Sequence, residues 1–151
     1  MAANWRLVDG LGEQMMIQKT SEIRCDAAPP PGGHYAQAVL HRDTLYVSGQ
    51  LGVTGETADA ADLSVSEQVN FALANIEAII RVVGASREDI VRCTIYVTDV
   101  AHWGEVNRAY AAFFGMHRPA RSIVPCGPLH HQALVEIEAI VAISQGDEAK
   151  K

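Results

Sequence analysis

Val69, Leu73, Ile76, Ile80 and Val83 recur at three- and four-residue spacing, which draws one apolar stripe along a helix. Ser64 and Glu67 supply a capping signature before it, and Gly84 marks its stop. A second stripe, Trp103, Val106, Tyr110 and Phe113, predicts a helix capped by Asp99. Gly115 ends that helix, and Pro119 prevents its continuation. Elsewhere the pattern has the period of strands. Ile90 to Val97 alternates with β-branched residues, and Ala120 to Val124 and Leu134 to Ile143 complete the later strands. The runs Tyr35 to His41 and Thr44 to Gly49 are parted only by Arg42-Asp43, which predicts a hairpin. Met15 to Ile23 supplies a first strand. Pro29-Pro30-Pro31-Gly32-Gly33 continues no regular element and reads as a loop, either a linker or the shaper of a site.

The predicted order is therefore β-β-β-α-β-α-β-β, an α+β chain with a single mixed or antiparallel sheet. Two helices cover one face of such a sheet. In the last strand Val135, Ile137, Ala139, Val141 and Ile143 form an apolar face suited to packing beneath them. The opposite face, Leu134, Glu136, Glu138, Ile140 and Ala142, is half apolar, and cover by another subunit is expected there. Residues 1–15 read as an N-terminal extension, 16–144 as one domain and 145–151 as a polar tail.

Composition narrows the function classes. The chain has 151 residues, enough for one ordinary domain, with 48% hydrophobic and 20% charged residues. Eighteen acids against twelve Lys and Arg give a net charge of −6, which argues against nucleic acid as the main partner. Apolar runs such as Ala139 to Ile143 are too short to span a bilayer, and no secretory signal opens the chain. A cytoplasmic protein is expected. Cys25, Cys93 and Cys126 are odd in number and widely spaced, so neither a disulfide framework nor a zinc knuckle is suggested. Dinucleotide, P-loop, zincin and nucleophile-elbow motifs do not occur in the sequence. Neither metal nor organic cofactor is expected.

Four segments then acquire meaning together. They are Ser48-Gly49-Gln50, the run from Val106 to Phe114, Pro119-Ala120-Arg121-Ser122, and Val135-Glu136-Ile137-Glu138-Ala139. In this order and with these gaps the chain, from about Met16 to Ile143, resembles the reactive-intermediate deaminase family (Rid, or YjgF, also described as endoribonuclease L-PSP). The resemblance implies a chorismate-mutase-like fold and a homotrimer with clefts between subunits. It also implies hydrolysis of small 2-imino or 2-enamino acids to 2-keto acids and ammonia without a cofactor.

Residue by residue, Arg121 is similar to the family's substrate-binding arginine, whose planar fork grips a carboxylate. Glu136, fifteen positions later, matches the acid that orients or deprotonates water, and Tyr35 matches the aromatic that closes the cleft. Ser48, Gly49, Asn107 and Ile123 match positions lining the pocket. At position 123 the family often has a small or thiol residue, and Gly33-His34-Tyr35 stands where Gly-Pro-Tyr is common. These departures bear on the substrate more than on the fold. Cys126, His130 and His131 are expected to be plain loop residues, because no third ordered partner accompanies them and adjacent histidines on an extended segment point apart. If the last two strands form a hairpin about Pro128 and Leu129, Arg121 lies opposite Glu136. The same cleft also suits a non-catalytic carboxylate-binding or chaperone-like trimer, or a deaminase of a larger enamine such as 2-aminomuconate. Ribonuclease action is disfavoured by the acidic composition.

Overall fold

A computed structural model describes residues 20–53 and 60–143. The expected extension 1–15 and tail 145–151 lie outside the described residues, as does most of the run proposed for the first strand. The strands are β1 (Ser21–Ile23), β2 (Ala38–His41), β3 (Thr44–Leu51), β4 (Ile90–Val97), β5 (Ala120–Pro125) and β6 (Val135–Ala142). The helices are α1 (Val65–Arg81) and α2 (Trp103–Phe114).

Helix α1 starts and stops as its sequence dictates. The Ser64 amide donates to Glu67 Oε2 at 2.8 Å, and the Glu67 amide donates back to Ser64 Oγ at 3.3 Å. Gly84 ends the following turn at φ 77°, a conformation that costs a side chain. The predicted stripe is buried, with Val69, Leu73, Ile76 and Ile80 all fully inaccessible. Helix α2 differs from expectation at its start. Asp99 caps a short 3-10 turn, Val100–His102, by accepting the Ala101 amide at 2.8 Å, and α2 begins only at Trp103. The buried face is therefore Val106, Ala109, Tyr110 and Phe114, while Trp103 is half exposed.

The six strands form one sheet in the order β1-β2-β3-β6-β4-β5, antiparallel except for the parallel pair β4 and β5. Helix α2 is the crossover that a parallel pair requires. It returns the chain beside β4, so β5 lies at the sheet edge and β6 is inserted between β3 and β4. The hairpin that would have set Arg121 opposite Glu136 does not form, and the two strands take other pairings. Val135, Ile137, Ala139 and Val141 are buried under the two helices with Cys93, Ile95 and Val97, as their alternation predicted. A fully buried valine or isoleucine contributes about 1.5–3 kcal/mol, and a one-residue slip would drive Glu136 and Glu138 into the core. Packing therefore sets the side on which each glutamate emerges. Among the described residues no helix is long and apolar enough to cross a membrane.

Candidate active site

The expected site residues fall into two groups. The first is built at one end of β3. Residues 35–37, expected within a strand, belong instead to the loop before β2, because the buried Gln37 side chain turns back on residues 25–29. It accepts the Cys25 amide at 2.8 Å and donates to Cys25 O at 3.0 Å and Pro29 O at 2.9 Å. Ser48 closes the loop onto β3. Its amide donates to Gln37 O at 3.0 Å and its hydroxyl to Ala36 O at 2.7 Å. Tyr35 folds over the glycines, its hydroxyl accepting the Gly32 amide at 3.0 Å. The triple-proline segment is thus a wall and not a slack linker.

Between Val47 and Gln50 the β3–β6 register shifts, so that Ser48 and Gly49 together oppose Glu138. Such a bulge re-aims the side chains around it. Gly49 is what lets the Glu136 carboxylate lie flat against the backbone. A Cβ there would sit 2.8 Å from Glu136 Cδ and closer still to Oε1. Gly49→Ala is therefore expected to push the carboxylate out of place and lower kcat at least tenfold while the melting temperature barely moves. Wild-type kcat in that variant would remove Glu136 from the chemistry.

Tyr35, Ser48, Gly49 and Glu136 line one cavity of about 670 Å³ with His130 and Glu138. Burial pushes the Glu136 carboxyl above its ordinary value, the Glu138 charge adds to this, and His130 opposes it. Tyr96, next to Glu136 in the β4–β6 register, is raised chiefly by the Glu138 charge. His130 and His131, expected to be plain loop residues pointing apart, both line this cavity from a 3-10 turn, His130–Gln132. That both histidines face one cavity was invisible to an extended-segment reading.

The second group sits on β5 and α2. In register with the buried Cys93, Arg121 points to the helix-covered face of the sheet. Its Nη2 donates to Asn107 Oδ1 at 2.9 Å, and its guanidinium carbon lies 4.7 Å above the Tyr110 ring. One N–H is thus committed and one face stacked, which leaves the other donors of the fork available to a ligand. Asn107 and Tyr110 meet the same arginine because they are three apart on α2. Beneath it the Tyr110 hydroxyl is buried beside the Cys93 thiol with no conventional hydrogen-bond partner among the described residues. Burial pushes the thiol up to about 11, so Cys93 is an inert core residue. Ile123 follows on the same face and packs against the core. Tyr110 and Gln37 were not legible as site residues, since an aromatic in a helix stripe and a lone glutamine carry no motif.

Arg121 and Glu136 do not meet within one chain. Arg121 is opposite Cys93 and Glu136 opposite Tyr96, two strands and three residues apart. That is about 10 Å across the sheet and about 10 Å along it. They also emerge on opposite faces. Among the described residues no group of three or more His, Cys, Asp or Glu side chains comes together as a metal-binding cluster.

Comparison with known proteins places this architecture. Residues 25–143 match the family described as Endoribonuclease L-PSP. A RutC family protein of Aquifex aeolicus is 40% identical over 124 residues, covering 81% of this chain and 98% of that protein. A 2-iminobutanoate/2-iminopropanoate deaminase of Dermatophagoides farinae is 34% identical over 121 residues, covering 80% and 94%. The crystal structure of the E. coli YjgF gene product superimposes with a TM-score of 0.75 at 34% identity, covering 81% of this chain and 98% of that one. The sheet and helices described above are thus the chorismate-mutase-like fold these proteins share. The chain belongs to the Rid/YjgF, or endoribonuclease L-PSP, family.

Proposed function

We propose that this protein is a cytoplasmic, cofactor-free deaminase that hydrolyses small 2-imino or 2-enamino acids to 2-keto acids and ammonia. Its active site is completed between the subunits of a homotrimer. One observation carries the reading: the cavity with Glu136 and the fork of Arg121 lie on opposite faces of one sheet, which supports a site that takes one of them from each of two subunits. The deaminase activity in the name of the mite relative supports the reaction class.

In the composite site Arg121 of one subunit receives the substrate carboxylate through two parallel N–H donors, steadied by Asn107 and the Tyr110 ring. This sets C2 of the substrate over the Glu136 cavity of the next subunit. Glu136 takes a proton from water as the oxygen adds to C2, and the electron pair of the C=N bond moves to nitrogen. The nitrogen takes up two protons, one of them the proton that Glu136 gained, and the carbinolamine collapses with cleavage of the C–N bond to release ammonia and the keto acid. Tyr35 and the proline loop close the cavity, and Ser48 and Gly49 hold its floor. Ile123 bounds the carboxylate end with an apolar wall. Assembly also covers the outer sheet face, where Val39, Tyr46, Ile140 and Val124 would otherwise face water.

Freshly generated 2-iminopropanoate should release ammonia faster with the protein than without it, and light scattering at micromolar concentration should return three times the chain mass. A monomer would sink the composite site. A trimer that binds pyruvate-like carboxylates but leaves the ammonia rate untouched would make the protein a carboxylate-binding module instead.

A further inference from the structure

His130 lines the cavity that holds Glu136, on a turn of unusual conformation. His131 has φ 56° and ψ 30°, and Gln132 has φ 54°, so two successive non-glycine residues occupy the left-handed region. Strain of that kind persists only where the surroundings over-determine it, and it gathers at functional sites. Here the surroundings are well defined. Gln68, fully buried on α1, donates to Ala60 O at 3.2 Å and Leu63 O at 3.1 Å and accepts the Leu134 amide at 2.8 Å. The Ala60 amide in turn donates to His131 O at 3.0 Å, and the Ala133 amide to His130 O at 3.1 Å. A Cβ on Gly52 would collide with Gln68, so this strut has a glycine reserved for it. The fold thus spends a buried glutamine, a glycine and two left-handed residues on a turn that presents His130 to the cavity.

The cavity needs something that the Glu136 mechanism does not supply. Adding water to an imine gives a proton to the base, but the nitrogen must gain one to leave as ammonia. We propose that His130 is a further catalytic residue of this site, the proton donor to the departing nitrogen; this assignment rests on the deaminase reading. As the water O–H bond breaks, its proton goes to Glu136 and the C–O bond forms. The C=N electron pair goes to nitrogen, which takes a proton from the His130 imidazolium. Glu136 then returns its proton to nitrogen, the C–N bond breaks with release of ammonia, and the hydroxyl proton passes to His130. Both side chains end as they began, and no co-reactant is consumed. Glu136 and Glu138 from β6, Tyr35 from the proline loop and His131 from its own turn share the cavity with His130, while Tyr96 from β4 interacts with the two glutamates and with Cys126, the residue after β5. Glu136 and Glu138 share the cavity with the His130 ring, which sets a base and a proton donor side by side within one site.

The test compares wild type, His130→Asn, His130→Gln and His102→Asn, the last remote from the cavity. His130→Asn and His130→Gln should lower kcat about a hundredfold or more with little change in KM, because the contact is made only in the transition state. Wild-type kcat/KM should fall at alkaline pH through loss of the imidazolium, and that limb should vanish in both variants and persist in His102→Asn. A second readout needs no turnover: the Glu136 carboxyl, followed by carbon NMR, should titrate higher in His130→Asn than in wild type. Active wild type with an unchanged profile in His130→Asn overturns the role of His130 alone. Wild type that releases no ammonia overturns the deaminase reading and this role with it. An unmoved Glu136 titration overturns the pairing whatever the kinetics show.

Discussion

Arg121→Ala lowers kcat/KM on 2-iminopropanoate by about a hundredfold or more. A hydrogen bond to a charged group contributes about 1.5–3 kcal/mol, so losing two corresponds to at least about two powers of ten. The loss should appear in KM as well as kcat, because the carboxylate is held in ground and transition states alike. The setting of the guanidinium sharpens this. Asn107 fixes Nη2 at 2.9 Å and the Tyr110 ring supports one face, so the fork is aimed before substrate arrives. Lysine brings charge without the planar fork and cannot stack in the same way, so Arg121→Lys should recover little. Melting temperature should change slightly, since Arg121 sits on an edge strand. Steady-state ammonia release measured beside thermal unfolding separates these effects. Wild-type kcat/KM in Arg121→Ala would remove the arginine, and the deaminase chemistry built on it, from this site.

How far the sequence could be read follows from what each pattern encodes. Helix α1 was legible down to its cap because the stripe, Ser64-x-x-Glu67 and Gly84 all describe one continuous local segment. Burial on β6 was legible for the same reason, since period-two alternation is local. Strand pairing is not. Nothing local distinguishes a β5–β6 hairpin from β5 lying parallel to β4, and the length of α2 as a crossover decides it. That single difference moves Arg121 from beside Glu136 to the opposite face of the sheet. Candidate residues carried by ordered motifs, Arg121, Glu136, Ser48 and Gly49, were named by resemblance. Gln37 and Gln68 were not, because a buried glutamine works through carbonyls and amides that are remote in the chain. His130 was discounted for want of a third partner, whereas its meaning comes from a turn held by α1 and a cavity floored by β3 and β6.

Glu136→Gln keeps the size of the side chain and its place against Gly49, yet it cannot take a proton from water. kcat should fall by about 10²–10⁴ while KM holds, unlike Arg121→Ala, which moves both. The fold itself should not suffer. Burial and the Glu138 charge raise the folded-state pKa of Glu136, so its ionised form is disfavoured on folding and stability is lost as pH rises through that value. At neutral pH a neutral glutamine lacks this cost, and the melting temperature should stay level or rise. In wild type kcat should decline on the acid side, as Glu136 takes up its proton, at a pH raised from the ordinary value of a glutamate by burial and the Glu138 charge, and Glu136→Gln should lack that limb. Mixing the two dead variants then tests where the site lies. If Arg121 of one subunit serves Glu136 of the next, equimolar Arg121→Ala and Glu136→Gln chains, unfolded and reassembled together, form intact pairs at about one quarter of their interfaces. Ammonia release should recover to about that fraction of wild type, although neither parent is active. No recovery from well-formed mixed trimers would mean that the arginine and the glutamate do not act across one interface, and the composite site would fall.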